Sequence, residues 1–212
     1  MDIHWFGHAC FRIREKGITV VTDPHPEELG YARPRIRADV VTVSHPHEGH
    51  SAVKGFRGSP RVVDSPGEYE VGGVFVTGVS TFHDDDGGSE RGQNMAFLSD
   101  FWGLTVCHLG DLGHVLTQAQ VEALNQVNVL LVPVGGGSTI TAVQAAEVVN
   151  LVEPNIVIPM HYWTETLPRD LDRVERFLKV MGSSNVTSQE MLRISASSLP
   201  SDTEVVLLDY GT

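Results

Sequence analysis

With 212 residues, 41% hydrophobic and 20% charged, and 21 glycines, the chain has ordinary globular composition with a surplus of tight turns, which excludes a disordered or low-complexity protein. Its formal net charge of −12 works against sequence-independent nucleic-acid binding, which needs lysines and arginines to displace counterions from phosphates. Only Cys10 and Cys107 occur, both inside apolar runs, so there is no disulfide framework and no cysteine-paired zinc motif.

The chain opens as a β-meander, with Ile3 to Phe6, Cys10 to Arg14 and Ile18 to Thr22 as short strands and Gly7 and Lys16-Gly17 at the turns. This start lacks the basic segment and apolar core of a signal peptide, and no run approaches the roughly 18 apolar residues of a membrane span. A soluble cytoplasmic protein, one domain over 1–212 with no membrane contact, is therefore expected. Asp23-Pro24-His25-Pro26 stops the third strand. The segment to Arg37 reads as a loop whose Arg33, Arg35 and Arg37 either sit in solvent or meet an anionic substrate.

Ala38 to Val43 is a β-branched run that ends in Ser44-His45-Pro46-His47-Glu48-Gly49-His50-Ser51. In an extended backbone His45 and His47 point the same way, and the bend permitted by Gly49 can swing His50 toward them. Neutral imidazole is the commonest side-chain ligand for zinc-like ions, whereas three packed histidines without an ion would repel once protonated. Arg61 to Val63 is a further strand, and Tyr69 to Val71 with Val74 to Ser80 forms a hairpin through Gly72-Gly73. His83 stands just past its end, followed by Asp84-Asp85-Asp86, most simply a solvated acidic turn. Asn94 to Leu98 and Leu104 to Leu109 form another pair, which delivers Gly110-Asp111 and, three residues on, His114.

From there the pattern alternates. Thr117 can cap a helix running to about Asn125, Val129 to Val134 is a buried strand, and Thr141 to Leu151 is a helix with Ala142, Ala145, Ala146 and Val149 on one face. Gly135 to Thr139, between that strand and helix, could cradle an anion, but it has no lysine of the nucleotide-triphosphate loop. Ile156 to Pro159 is the next strand and ends in Met160-His161. Asp170 can cap a last helix carrying Leu171, Val174, Phe177, Leu178 and Met181 and stopping at Gly182, and Glu204 to Leu208 supplies a closing strand.

Metal-type residues thus recur where strands stop: His45, His47, His50, His83, Asp111 and His161. Such a set can hold two ions about 3.5–4 Å apart with Asp111 between them. The chain also resembles the metallo-β-lactamase superfamily, in its UlaG-like branch. Its signature HxHxDH matches His45-Pro46-His47-Glu48-Gly49-His50. Further matches are Trp5-Phe6-Gly7-His8-Ala9, Thr22-Asp23-Pro24, Pro66-Gly67-Glu68-Tyr69, Leu109-Gly110-Asp111, Pro133-Val134-Gly135-Gly136 and Pro159-Met160-His161-Tyr162.

The resemblance implies an α/β fold, an αββα sandwich with two face-to-face sheets, helices outside and metals at one edge. It implies that His45, His47 and His83 bind a first metal, His50 and His161 a second, and that Asp111 bridges them. Zinc is the expected ion, with manganese as the alternative, in one or two sites. Gly49 stands where the family has an aspartate that ligates the second metal, so that site is expected to be weakened, unless Glu48 or a carboxylate of Asp84 to Asp86 steps in. His8 and Asp23 are expected either to orient ligands or merely to form turns.

The implied activity is metal-dependent hydrolysis of a lactone, acyl or phosphodiester bond in a small-molecule substrate. A bound water brought toward a pKa of about 7 would be the nucleophile, with Asp111 and His50 as the catalytic residues. The rivals are a phosphodiesterase or nuclease of the same fold, and a degenerate domain that binds metal or ligand without turnover. Nucleic acid is not an expected partner, and a homo-oligomer stays open.

Overall fold

In a computed structural model, residues 1–32, 36–167 and 171–210 are described. The first sheet begins as the expected meander of β1 (Asp2–Trp5), β2 (Phe11–Glu15) and β3 (Ile18–Thr22), joined by β4 (Val40–Thr42) and β5 (Arg61–Val63). The second comprises β6 (Gly67–Val71), β7 (Val74–Phe82), β8 (Gln93–Phe101), β9 (Leu104–His108), β10 (Val129–Pro133) and β11 (Ile156–Met160). The helices are α1 (Gln118–Leu124), α2 (Ala142–Val152) and α3 (Val174–Val180). Two short late strands close the sheets, β12 (Leu192–Arg193) beside β1 and β13 (Glu204–Val205) beside β11.

Burial explains the layering. Ile3, Trp5, Phe11, Ile13 and Val20 of the first sheet pack against Val76, Phe97, Val106, Leu131 and Ile158 of the second in one central core. Each fully buried side chain of this size contributes roughly 1.5–3 kcal/mol. The central strands β8 to β11 of the second sheet are buried on both faces: Ala96, Cys107, Leu130, Val132 and Val157 point outward into a second core with Leu124, Ala145, Val148, Val149, Phe177 and Leu178 of the helices. The outer face of the first sheet is covered more thinly. There Cys10, Val21, Val41 and Val43 pack with Phe6, Ile36, Val53 and Phe56 of loops, and among the described residues no α-helix lies over them. The sandwich is thus the expected one with one outer layer reduced.

Thr117 caps α1 as expected, and Thr141, expected as the first residue of the second helix, is instead its cap; each forms a reciprocal box, with Gln120 or Gln144. The last helix is shorter than expected. It starts after Arg173, because the backbone of Asp172 is engaged elsewhere: its N–H donates to Gly135 O (2.7 Å) and its carbonyl accepts from Trp163 N–H (3.0 Å). Leu171 therefore lies outside the helix, while the expected cap Asp170 falls outside the described residues. The closing strand stops at Val205, because the chain beyond it pairs with Gln189, bridging to Leu208, instead of continuing along β11.

Candidate metal centre

Strand direction gathers the site. In the first sheet β3 and β4 are parallel, and β1, antiparallel to β2, runs the same way. In the second, β9, β10 and β11 are mutually parallel, and β7 shares their direction through antiparallel β8. The C-terminal ends of these strands therefore lie on one edge of the sandwich. His8 follows β1, Asp23 follows β3, residues 44–51 follow β4, His83 follows β7, Asp111 follows β9 and His161 follows β11. His8, Asp23 and His161 each take a positive φ (51°, 37° and 51°), a conformation that costs a non-glycine residue energy and that clusters at functional sites.

Asp111 is the hub. Its Oδ2 lies 3.2 Å from His50 Nε2, 3.3 Å from both His83 Nε2 and His161 Nε2, and 3.9 Å from His45 Nε2. The rings of His45 and His47 stack at 5.8 Å, and that of His47 lies 6.0 Å from His50. All six residues singled out from the sequence thus meet, although His45 and His161 stand far apart in the chain. All are buried except His47, which is exposed.

The surrounding bonds fix how these rings face. Asp23, fully buried, accepts from His50 Nδ1–H (2.9 Å) and from the Ser44 hydroxyl (2.5 Å), and that hydroxyl oxygen lies 2.9 Å from His45 Nδ1. One carboxylate thereby holds two imidazoles by Nδ1 and turns both Nε2 atoms to the centre, the arrangement that orients metal-binding histidines. Gly49 N–H donates to His47 Nδ1 (3.2 Å), so the neutral His47 ring carries its proton on Nε2, and offering Nε2 to an ion requires this bond to be given up. On the second sheet, Asp111 N–H donates to Asn94 Oδ1 (2.9 Å), and Asn94 is itself held by Thr81 Oγ1 and Leu109 O. Gly110, at φ +58°, makes this approach possible, since a Cβ there would come within 2.4 Å of Asn94 Oδ1 and 2.5 Å of the Ser44 side chain.

The electrostatics are those of a cation site. Burial alone would raise the pKa of Asp111, but the imidazoles of His161 and His50 hold it well below the usual carboxylate range. Burial would likewise lower His50, yet the charge and hydrogen bonds of Asp111 and Asp23 push it up to about 10. His45 goes the other way, to about 4, through burial and the neighbouring charge of His50. Asp111 Oδ1 and His45 Nε2 are buried without a hydrogen-bond partner, as atoms awaiting a cation would be. Three sets of ligand atoms each fall within 4.8 Å: His45, His47 and His50; His45, His83 and Asp111; and His8, His50 and His161. Imidazole nitrogens with one carboxylate are the donor set of zinc and similar transition ions, so the residues present fit a bound metal.

Other sequence expectations fare unevenly. Asp84 is not a solvated turn residue: it is 2% exposed, and its carboxylate accepts the N–H groups of Asp86, Gly88, Glu90 and Arg91, which hold its pKa down to about 2. Glu48 points to solvent at the mouth of a separate depression with Pro26, Glu28, Ser51 and Ala52. His114 does not line the cavity above the centre, because its Nε2 accepts from Phe82 N–H (3.2 Å). In the glycine-rich loop the N–H groups of Gly136 and Thr139 are spent inside the turn, on Ile140 O and Gly136 O, so they cradle no anion. Arg33 and Arg35 lie outside the described residues, and Arg37 sits beside Asp39 in solvent.

The cavity over the centre measures about 670 Å³, a size suited to a small molecule, and Arg91, Gln93 and Ser138 contribute to its wall. Sequence reasoning passed over Arg91 and Gln93, whereas Ser138 belongs to the glycine-rich loop already weighed as an anion cradle. Arg91 could have been found from its position a short loop beyond His83; nothing local marks Gln93.

The family model of the beta-lactamase superfamily domain matches residues 2–161. A UPF0173 metal-dependent hydrolase of Carboxydothermus hydrogenoformans is 30% identical over 193 residues, 77% of this chain and 85% of the relative. One from Thermoplasma acidophilum is 28% identical over 211 residues, 86% and 93% of the two chains. Among solved structures, a Thermotoga maritima protein assigned to the metallo-β-lactamase superfamily as a zinc-dependent hydrolase superimposes with a TM-score of 0.83 at 42% identity, covering 98% of this chain and 97% of its own.

Proposed function

Because the chain belongs to the metallo-β-lactamase superfamily and is a metal-dependent hydrolase, we propose that it hydrolyses a lactone, acyl ester or phosphodiester of a small molecule at an edge centre of one or two ions, zinc first. The observation that carries this reading is the convergence of four Nε2 atoms on one oxygen of Asp111, with the other oxygen buried and unpartnered. His45, His47 and His83 would hold one ion, His50 and His161 the other, and Asp111 both. Bound ions supply the Lewis acidity that makes water a nucleophile at neutral pH and polarises the oxygen of the bond under attack.

The chain's own residues do the rest. Asp111, kept ionised by its imidazole neighbours, can accept a hydrogen bond from the attacking water and so orient it. Asp23 keeps His50 and His45 in the tautomer that offers Nε2. Arg91, exposed on the cavity wall, suits a substrate with an anionic substituent, which keeps the phosphodiester in the substrate set.

Asp111→Asn tests the reading. Asparagine keeps the shape but loses the charge, so hydrolysis should fall at least about 100-fold while the fold survives. The assay is a panel of lactones, acyl esters and phosphodiesters with zinc and with manganese. A parent protein that holds its metals yet turns over nothing would favour a binding domain, and a variant as active as an active parent would refute the role given to Asp111.

A further inference from the structure

We propose that His8 is a ligand of the second ion, and that its imidazole takes the place left open by the absence of a side chain at Gly49. The inference rests on the two-ion reading above and specifies how that reading survives the loss of a carboxylate.

Geometry makes the case. A Cβ built on Gly49 would lie 3.2 Å from His8 Nε2, with His47 Nδ1 next at 3.3 Å. A side chain at 49 would thus press on ring nitrogens of both His8 and His47, and of these it is His8 whose ligand atom groups with those of His50 and His161. The candidate ligand atoms of His8, His50 and His161 lie within 4.8 Å of one another, and all three residues are buried. The His8 ring sits between the other two, 4.3 Å from the ring of His161 and 4.6 Å from that of His50.

The main chain fixes this position. His8 O accepts from the His161 N–H and from Trp5 Nε1–H, both at 3.1 Å, and Trp5 is core-buried. His8 and His161 both take φ 51°, so two non-glycine residues in a costly conformation are bonded to each other at the same edge. The rival carboxylates are placed elsewhere. Asp84 is consumed by four backbone N–H groups, while Glu48, Asp85 and Asp86 are exposed.

Chemistry follows from the exchange. A carboxylate at position 49 would bring a negative charge and a hard oxygen; His8 brings neither. The second site then consists of three neutral imidazoles and the shared Asp111. Imidazole suits zinc, nickel and copper better than manganese or magnesium, so the second site should discriminate against manganese more sharply than a carboxylate-bearing site would.

Two measurements decide the matter. The first is anomalous scattering from crystals of the unaltered protein loaded with zinc. An ion about 2.0–2.1 Å from His8 Nε2 is expected, as for any zinc–imidazole bond. A second ion more than about 3 Å from that nitrogen overturns the inference, as does a parent that holds one ion only, on His45, His47 and His83; either leaves the hydrolase reading standing. A parent that binds no metal overturns both.

The second compares His8→Phe with the parent by metal content and chelator competition. Phenylalanine keeps a ring between His50 and His161 but has no nitrogen. One ion should bind at least about 10-fold more weakly while the other is unchanged. Two unchanged affinities, or equal loss of both, would overturn the inference. Should His8→Phe misfold, the double variant His8→Ala/Gly49→Asp returns a carboxylate to the vacated volume. It should regain the second ion and, with it, tolerance for manganese; failure to do so counts against the inference.

Discussion

Asp23 shows how much one residue can govern without touching a reacting atom. Burial opposes its charge, but His108 and His50 nearby and the hydrogen bonds of His50 and Ser44 keep its pKa below the usual value. Asp23→Asn would preserve volume while reversing one hydrogen-bonding partner. Metal affinity should fall 10–100-fold, as when the support of a ligating histidine is removed, and competition with a chelator would measure it. His50 gives a second prediction. In the metal-free chain its proton, held to about pH 10 by Asp111 and Asp23, stands in for the cation. That proton stabilises the metal-free fold fully below the unfolded value of about 6.5, and the contribution fades as pH rises toward the folded value. An arriving ion must expel it, so affinity should rise with pH over the same window. Calorimetry in buffers of different ionisation heat should show proton release near neutral pH, and none released would contradict a charged His50.

Among the elements, the loop from His83 to Gly92 most changes the picture drawn from sequence. A run of three aspartates reads as solvated charge, yet Asp84 turns inward and gathers four backbone N–H groups into a nest that also sets the course of Arg91. Asp84→Ala should lower the melting temperature and weaken the ion proposed to bind through His83, with little effect of Asp85→Ala as control; equal effects would mean that the loop is held otherwise. The strands were legible because β-branched runs ending in polar residues mark both a buried strand and its exit, and Arg61–Val63 falls where expected. Thr117 was legible as a cap for a similarly local reason. What stayed hidden is what tertiary contact decides: the two-residue β12 and the shortened α3. The signature histidines announce themselves by spacing, whereas His8, alone after β1, is marked only by its motif, and its place between the rings of His50 and His161 appears only in the folded chain.

On the scale of the molecule, the centre joins the two sheets. His45, His47 and His50 come from the first sheet, and His83, Asp111 and His161 from the second, so an ion held between them as proposed would tie the halves of the sandwich together. Zinc at 100 times its dissociation constant should stabilise the fold by about 2.7 kcal/mol, and chelation should lower the melting temperature accordingly; an unchanged melting curve would argue against binding across the sheets. The thin cover of the first sheet gives that linkage a direction. The segment bearing His45, His47 and His50 runs on into Val53 and Phe56, which lie over Val41 and Val43, whereas the far sheet is sealed by α1, α2 and α3. Loss of the ions would therefore loosen one flank and spare the other: amide protons of β3 and β4 would exchange faster with solvent deuterium, while those of β10 and β11 would keep their protection.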